Sequence, residues 1–281
     1  MANIETNEAV WESWDWSQRG DEWSGWWGGT EAMWYGALLP RIHSFVPTGT
    51  ILEIAPGHGR WTQYLKDVCD ELVLVDLAPR CIEYCRQRFA DSDHITYHVN
   101  DGRSLAMVED HSVDFAFSFD SLVHVEADAI EGYLGELART LRPDGIGFLH
   151  HSNIREYRLL TRLARRMPSR SLGPLVARGL LIDVPAWRAE SMSADLFAEQ
   201  SVRAGLACIT QERISWEHGP YLTDAISVVT PEDSPRARSR RSMRNPFFAL
   251  EARRMARLYA GSPPLSPTDG AASSPAGDGS G

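Results

Sequence analysis

The 281-residue chain is predicted to be an α/β protein: a sheet of parallel strands with helices on both faces and a closing antiparallel pair at one edge. Three observations predict it. Between Thr50 and Phe148, apolar runs alternate with amphipathic segments, as β–α units do. A glycine turn, Ala55-Pro56-Gly57-His58-Gly59, follows the first run. Two later runs, Cys208–Trp216 and Asp224–Val229, are joined around Gly219-Pro220 rather than through a helix, which reads as the antiparallel pair.

In chain order, Ile51-Leu52-Glu53-Ile54 reads as the first strand and Leu72–Asp76 as the second, with further strands at Ile95–Val99, Val113–Phe119 and Gly145–His150. The helices between them show one apolar face each: Cys81, Ile82, Cys85 and Phe89 in one, and Ile130, Tyr133, Leu134, Leu137 and Leu141 in another. Arg142-Pro143-Asp144-Gly145 is expected to stop the second of these helices. Residues 154–190, broken by Pro168, Gly173-Pro174 and Pro185, read as an irregular inserted lid, and Ser193 caps a helix to about Ala204. The expected organisation is a tryptophan-rich helical cap over 1–48, the sheet domain over 49–230, an arginine-rich solvated linker and basic helix over 231–260, and a disordered tail over 261–281.

A formal net charge of −10 repels nucleic acid and acidic membranes over most of the surface, so a small-molecule or oligosaccharide partner is expected rather than a nucleic acid. No run approaches the roughly 18–20 apolar residues that cross a bilayer, and the start lacks the basic and apolar regions of a signal peptide. A cytoplasmic protein is therefore expected. Cys69, Cys81, Cys85 and Cys208 show no paired C-x-x-C framework, and core packing is their expected role ahead of a zinc site. Seven of the ten tryptophans lie between Trp11 and Trp34. Most should pack the cap onto the sheet, with Trp27 and Trp34 expected to line a cofactor or acceptor cleft, since an indole face can hold a cation.

A buried strand that enters a glycine turn lets backbone amides approach a ligand closely. Here Asp76 closes the second strand, where a carboxylate can take both hydroxyls of a ribose, and Asp101-Gly102 follows the third, where an adenine would lie. Successive strand carboxyl ends are where open α/β sheets bind ligands. A nicotinamide dehydrogenase shares the glycine turn and the acid. In this chain, however, Thr62 stands at the third glycine, Glu53 lies on the first strand, and an antiparallel pair follows.

Over about residues 34–229 these features resemble the class I S-adenosylmethionine-dependent methyltransferases, through the glycine loop, Asp76, Asp101 and the turn Leu141-Arg142-Pro143-Asp144-Gly145-Ile146. The resemblance implies a Rossmann-like sheet with S-adenosylmethionine as cofactor. It places Glu53, Gly57 and Gly59 around the methionine part, Asp76 at the ribose and Asp101 at the adenine, with Ala55, Pro56, Leu77, Gly102, Phe119 and Trp27 as further contacts. More narrowly, the tryptophan-rich start, Phe117–Val125 and Phe148–Asn153 resemble methyltransferases of sugar and glycan biosynthesis.

Methyl transfer is an in-line displacement, so the protein must align the acceptor and manage its proton. The ends of strands four and five offer Asp120, His124, His150 and His151. His151 is the expected general base and His124 its rival, while strand alternation implies that one of His150 and His151 packs instead. An alternative is a divalent metal ion held by Asp120, His150 and His151, a ligand set that favours manganese or zinc over magnesium. Arg188 is expected either to grip an acceptor oxygen or to form a salt bridge. The expected activity is O-methylation of a sugar, glycan or polyhydroxylated metabolite; an N- or phenol O-methyltransferase, or a non-catalytic S-adenosylmethionine-binding protein, are the alternatives.

Overall fold

The computed structural model describes residues 3–182, 188–216 and 220–259. Among the described residues, eight strands form one sheet in the order β3-β2-β1-β4-β5-β7-β6-β8. The first five, β1 (Thr48–Ile54), β2 (Cys69–Asp76), β3 (Ile95–Val99), β4 (Val113–Ser118) and β5 (Leu141–Ser152), run parallel. β7 (Asp224–Pro231) lies antiparallel between β5 and β6 (Leu206–Ile214), which is the expected closing pair. The winding reverses between β1 and β4, and the crevice at their carboxyl ends is where such a sheet receives a ligand.

The strands are apolar on both sides because both faces are covered. On one face Ile51, Leu72, Phe115, Phe117 and Phe148 pack against Trp27, Trp34 and Phe248. On the other, Leu52, Ile54, Ala116 and Leu149 meet Ile130, Leu134 and Leu137 of α6 (Ala127–Thr140) and Phe197 of α9 (Ala194–Arg203). Ser193 caps α9 as expected, its side chain accepting from Leu196 N. The cap holds α1 (Ile4–Ser13), the short α2 (Thr30–Met33) and α3 (Leu39–Ile42), while α4 (Thr62–Leu65) and α5 (Pro79–Arg88) follow β1 and β2.

Four expectations are corrected. Helix α6 ends at Thr140, and Leu141 already has extended backbone and begins β5. The proline two residues on disfavours helical backbone before it, and Arg142–Gly145 form an irregular start to the strand opposite Val113 and Phe115 instead of a helix stop. The insert is helical over α7 (Arg158–Arg166) and α8 (Ser169–Ala177), with Pro174 inside α8. Within the expected solvated linker, Arg241–Asn245 form β8, parallel to the edge of β6, before α10 (Phe248–Tyr259). Arg213 donates to Ser242 Oγ and Arg240 to Gln211 Oε1, so polar side chains rather than apolar alternation hold that edge. Trp27 is wholly buried in the core against Trp216 and Phe248 at 4.7 and 5.6 Å, because it lies under α10. The tail over 261–281, together with Trp187 and Gly219, lies outside the described residues.

An ion cluster ties α3 and α10 to the sheet at β6. Arg41 of α3 donates to Glu212 of β6 through Nε and Nη2, both at 2.7 Å, and to Glu251 of α10 at 2.9 Å. Asn245 of β8 donates to the same Glu212. Removing Arg41 would leave the buried Glu212 carboxylate without its ion-pair partner.

Candidate cofactor and acceptor site

The turn from β1 into α4 requires its glycines. Gly57 and Gly59 have φ of +57° and +79°, a region in which a side chain is strained. A Cβ at Gly57 would stand 2.9 Å from the Trp16 ring, and one at Gly59 2.5 Å from Phe89. Ala55 shares the left-handed backbone at +58°. This turn is fixed to β2 by Asp76, whose Oδ2 accepts from Gly57 N at 3.0 Å and whose Oδ1 accepts from Ala78 N at 2.9 Å. Burial raises the Asp76 carboxyl to about 6, against the pull of those backbone donors. Glu53 lies behind the turn, where burial raises it to about 8 while the Thr62 hydroxyl, 2.6 Å away, opposes the shift. Thr62 thus occupies the third-glycine position as an anchor for a buried carboxyl.

In front of the turn opens a cavity of about 320 Å3. Ligand pockets begin near this size, at about 300 Å3. Its walls include Ala55, Pro56, Gly57, Asp76, Leu77 and Gly102 from the ends of the first three strands, together with Phe119, Asp120 and His124 from the segment after β4. Asp101 does not line it: the Asp101 side chain caps its own loop, accepting from Arg103 N and Ser104 N at 3.1 and 2.8 Å. Glu53 and Gly59 stand behind the wall, and Trp27 lies in the core away from it. Trp34 likewise packs on Tyr64, their rings 4.8 Å apart.

The roof comes from the cap, through tryptophans other than the expected two. Trp11, Trp16 and Trp23 line the cavity along with Ile4 and Asn7 of α1. Helix α1 is pinned there: Asn7 Nδ2 donates to His124 O at 2.9 Å, and Arg80 donates to Glu12 O and Oε1 at 2.8 and 2.9 Å. Trp16 lies flat on His58 at 4.4 Å, and His58 on Tyr84 at 3.8 Å. Burial, with the nearby Arg80 and Arg88 charges, lowers His58 to about 4.

Just after β4, Asp120 takes a left-handed φ of +65° and accepts from Arg60 Nη2 at 2.7 Å, both side chains 6% exposed. The Arg60 guanidinium lies 4.5 Å over Trp61 and 5.4 Å over Trp23. Asp120 N donates to His150 Nδ1 at 3.0 Å, and His150 Nε2 faces Asp224 Oδ2 at 3.4 Å. Arg188 closes the chain with bonds of 2.9 and 3.0 Å to Asp224, so it takes the salt-bridge role. Burial alone would raise the Asp224 carboxyl, but the Arg188 charge and His150 outweigh it and hold it well below the usual range.

His150 and His151 project to opposite faces of the sheet, as adjacent strand residues must. The His151 ring lies flat on Phe197 at 4.2 Å, with Nε2 2.8 Å from Ser227 Oγ and Nδ1 2.9 Å from Ser152 O. Burial lowers it to about 3. The expected base is therefore sequestered on the α9 side, away from the cavity. Asp120, His150 and His151 do not converge as a ligand set, and no group of three or more His, Cys, Asp or Glu suited to a metal occurs among the described residues. Arg60, Trp11, Trp16 and Trp23 had not been singled out as site residues. Their signal was present in the arginine that follows Gly59 in the loop and in the Trp-x-x-Trp-x-Trp spacing of the cap.

Residues 51–145 match the family model of the methyltransferase domain. Ribosomal RNA small subunit methyltransferase A of Coxiella burnetii is 35% identical over 67 residues, 23% of this chain and 26% of that protein. Phosphoethanolamine N-methyltransferase 1 of Triticum aestivum is 27% identical over 118 residues, 40% of this chain and 24% of that protein. The chain thus spans about a quarter of the length of these relatives. Among solved structures, a DhpI-SAM-HEP complex superposes with a TM-score of 0.53 at 17% identity, covering 82% of this chain and 96% of that one, which is a likeness of fold. The family match thus spans β1 to the start of β5, and the likeness to the solved structure is one of fold alone.

Proposed function

We propose that this chain transfers a methyl group from S-adenosylmethionine to a hydroxyl of a small, polyhydroxylated acceptor. The observation that carries this reading is the single cavity that joins Gly57, Asp76, Leu77 and Gly102 to Phe119, Asp120 and His124. The residues fit a nucleoside cofactor: Asp76 is oriented by two backbone donors, and its oxygens keep lone pairs for ribose hydroxyls. When bound, the cofactor supplies an electrophilic methyl on a positive sulfur. The indole faces of Trp11, Trp16 and Trp23 suit such a charge and exclude water from it.

The acceptor end sets one buried ion pair, Arg60–Asp120, among aromatic rings. Aromatic faces with a few convergent polar groups hold a ring that carries hydroxyls. Among the described residues, two imidazoles line the cavity, His58 and His124. His58 is clamped between rings and depressed by burial, which leaves His124 to take the hydroxyl proton. A small acceptor is preferred to RNA because the formal charge of −10 opposes a polyanion over most of the surface.

His124→Gln is expected to lower turnover by about 10²–10⁴ with S-adenosylhomocysteine affinity unchanged. The test is transfer of labelled methyl from S-adenosylmethionine to panels of sugars and polyols, amines, and phenols. Label in the amine or phenol panel alone would transfer the assignment to those acceptors. Tight cofactor binding with no label in any panel would favour a binding protein without turnover.

A further inference from the structure

Residues 154–190 carry eight arginines against three acidic residues, in a chain whose formal net charge is −10. Four of those arginines, Arg155, Arg158, Arg162 and Arg165, line one groove of about 250 Å3 with Glu190 and Ser191. Arg158, Arg162 and Arg165 recur on one side of α7 at spacings that make neighbours repel. Glu190 pairs with Arg165, and Arg155 Nη1 donates to Ser191 O at 3.2 Å. Arg158 and Arg162 have no ion-pair partner among the described residues. The groove therefore holds an excess of positive charge with two guanidinium forks uncommitted.

The groove shares a wall with the cofactor cavity. Ser191 donates to Glu126 Oε2 through both its hydroxyl and its backbone N, the latter at 3.1 Å, and Ala189 N donates to Val123 O at 2.9 Å. Glu126 itself lines the cavity. An acceptor seated in the cavity with a group extended past Glu126 would present that group to the arginines.

We propose that this groove seats a phosphate-class oxyanion carried by the acceptor, so that the acceptor is a phosphorylated hydroxyl compound; this rests on the methyltransferase reading above. Guanidinium forks match phosphate oxygens bidentately, and two free forks suit a dianion better than a single carboxylate, which one fork already satisfies. The volume exceeds that of a bare ion and admits the organic group that bears it.

The probe is inorganic pyrophosphate, titrated calorimetrically into the full chain at constant ionic strength in chloride, with S-adenosylhomocysteine titrated separately. R158Q/R162Q should weaken pyrophosphate binding by about tenfold or more, with S-adenosylhomocysteine affinity and melting temperature unchanged. Equal pyrophosphate affinity in the two proteins overturns the seat. Retention on phosphatidylserine vesicles with no response to pyrophosphate also overturns it, and assigns the arginines and the neighbouring exposed Leu159 and Leu163 to a lipid surface. A wild-type chain that binds pyrophosphate but not S-adenosylhomocysteine overturns the link to methyl transfer and leaves an anion site alone.

Discussion

Asp76 is asked to do two things that burial sets against each other: hold the glycine turn through its backbone donors, and stay available to a ribose. Asp76→Ala should weaken S-adenosylhomocysteine binding by about 1–3 kcal/mol, the cost of losing a charged hydrogen-bond partner. Because the free carboxyl is raised to about 6 and ribose hydroxyls favour its ionised form, affinity should fall as the pH drops through that value. Calorimetry across pH 5–8 reads both effects, and a pH-independent affinity would place Asp76 away from the ligand. Glu53 gives a stability signal instead. Its folded carboxyl, at about 8, lies above the ordinary 4.5, so its contribution is full below the ordinary value and lost as the pH rises through about 8. The melting temperature of Glu53→Gln relative to the native chain should therefore climb between pH 5 and pH 8; a flat difference contradicts a buried carboxyl. At this scale the spacing of Gly57, Gly59 and Asp76 was legible because close backbone approach restricts which residues can stand there. The side taken by His151 was not. Both faces of β5 are buried, so apolar alternation could not say which imidazole faces the α9 side.

The turn between β1 and α4 is the element on which the cavity depends, and it is built without slack. Gly59→Ala should cost about 2–4 kcal/mol, since its φ of +79° and the Phe89 ring 2.5 Å from the added carbon act together. Thermal melting tests this, and a loss under 1 kcal/mol, on the order of one methylene buried, would show that the turn can relax. The five parallel strands and the antiparallel pair were readable from their apolar runs. Strand β8 was not, since Arg241-Ser242-Met243-Arg244-Asn245 lacks an apolar alternation and is held by side-chain bonds to β6. Helices α7 and α8 were hidden by prolines: Pro168 stands between them and Pro174 lies within α8, where a breaker is expected to end a helix.

Across the whole molecule, the tryptophan-rich cap and the carboxyl end of the sheet enclose one cavity, and the insert sets a basic groove beside it. The cap's position over the cleft was legible in outline, although the tryptophans that reach it are Trp11, Trp16 and Trp23 instead of Trp27 and Trp34. Which indole faces inward depends on where α10 packs, and α10 lies more than 200 residues away in sequence. We propose that this cavity holds S-adenosylmethionine and not a nicotinamide cofactor. The most direct test is calorimetric titration of the full chain with S-adenosylhomocysteine and, separately, with NADH. The expected result is one saturable site for S-adenosylhomocysteine, weakened in Asp76→Ala, and no heat of binding from NADH. Tight NADH binding with no response to S-adenosylhomocysteine would contradict it.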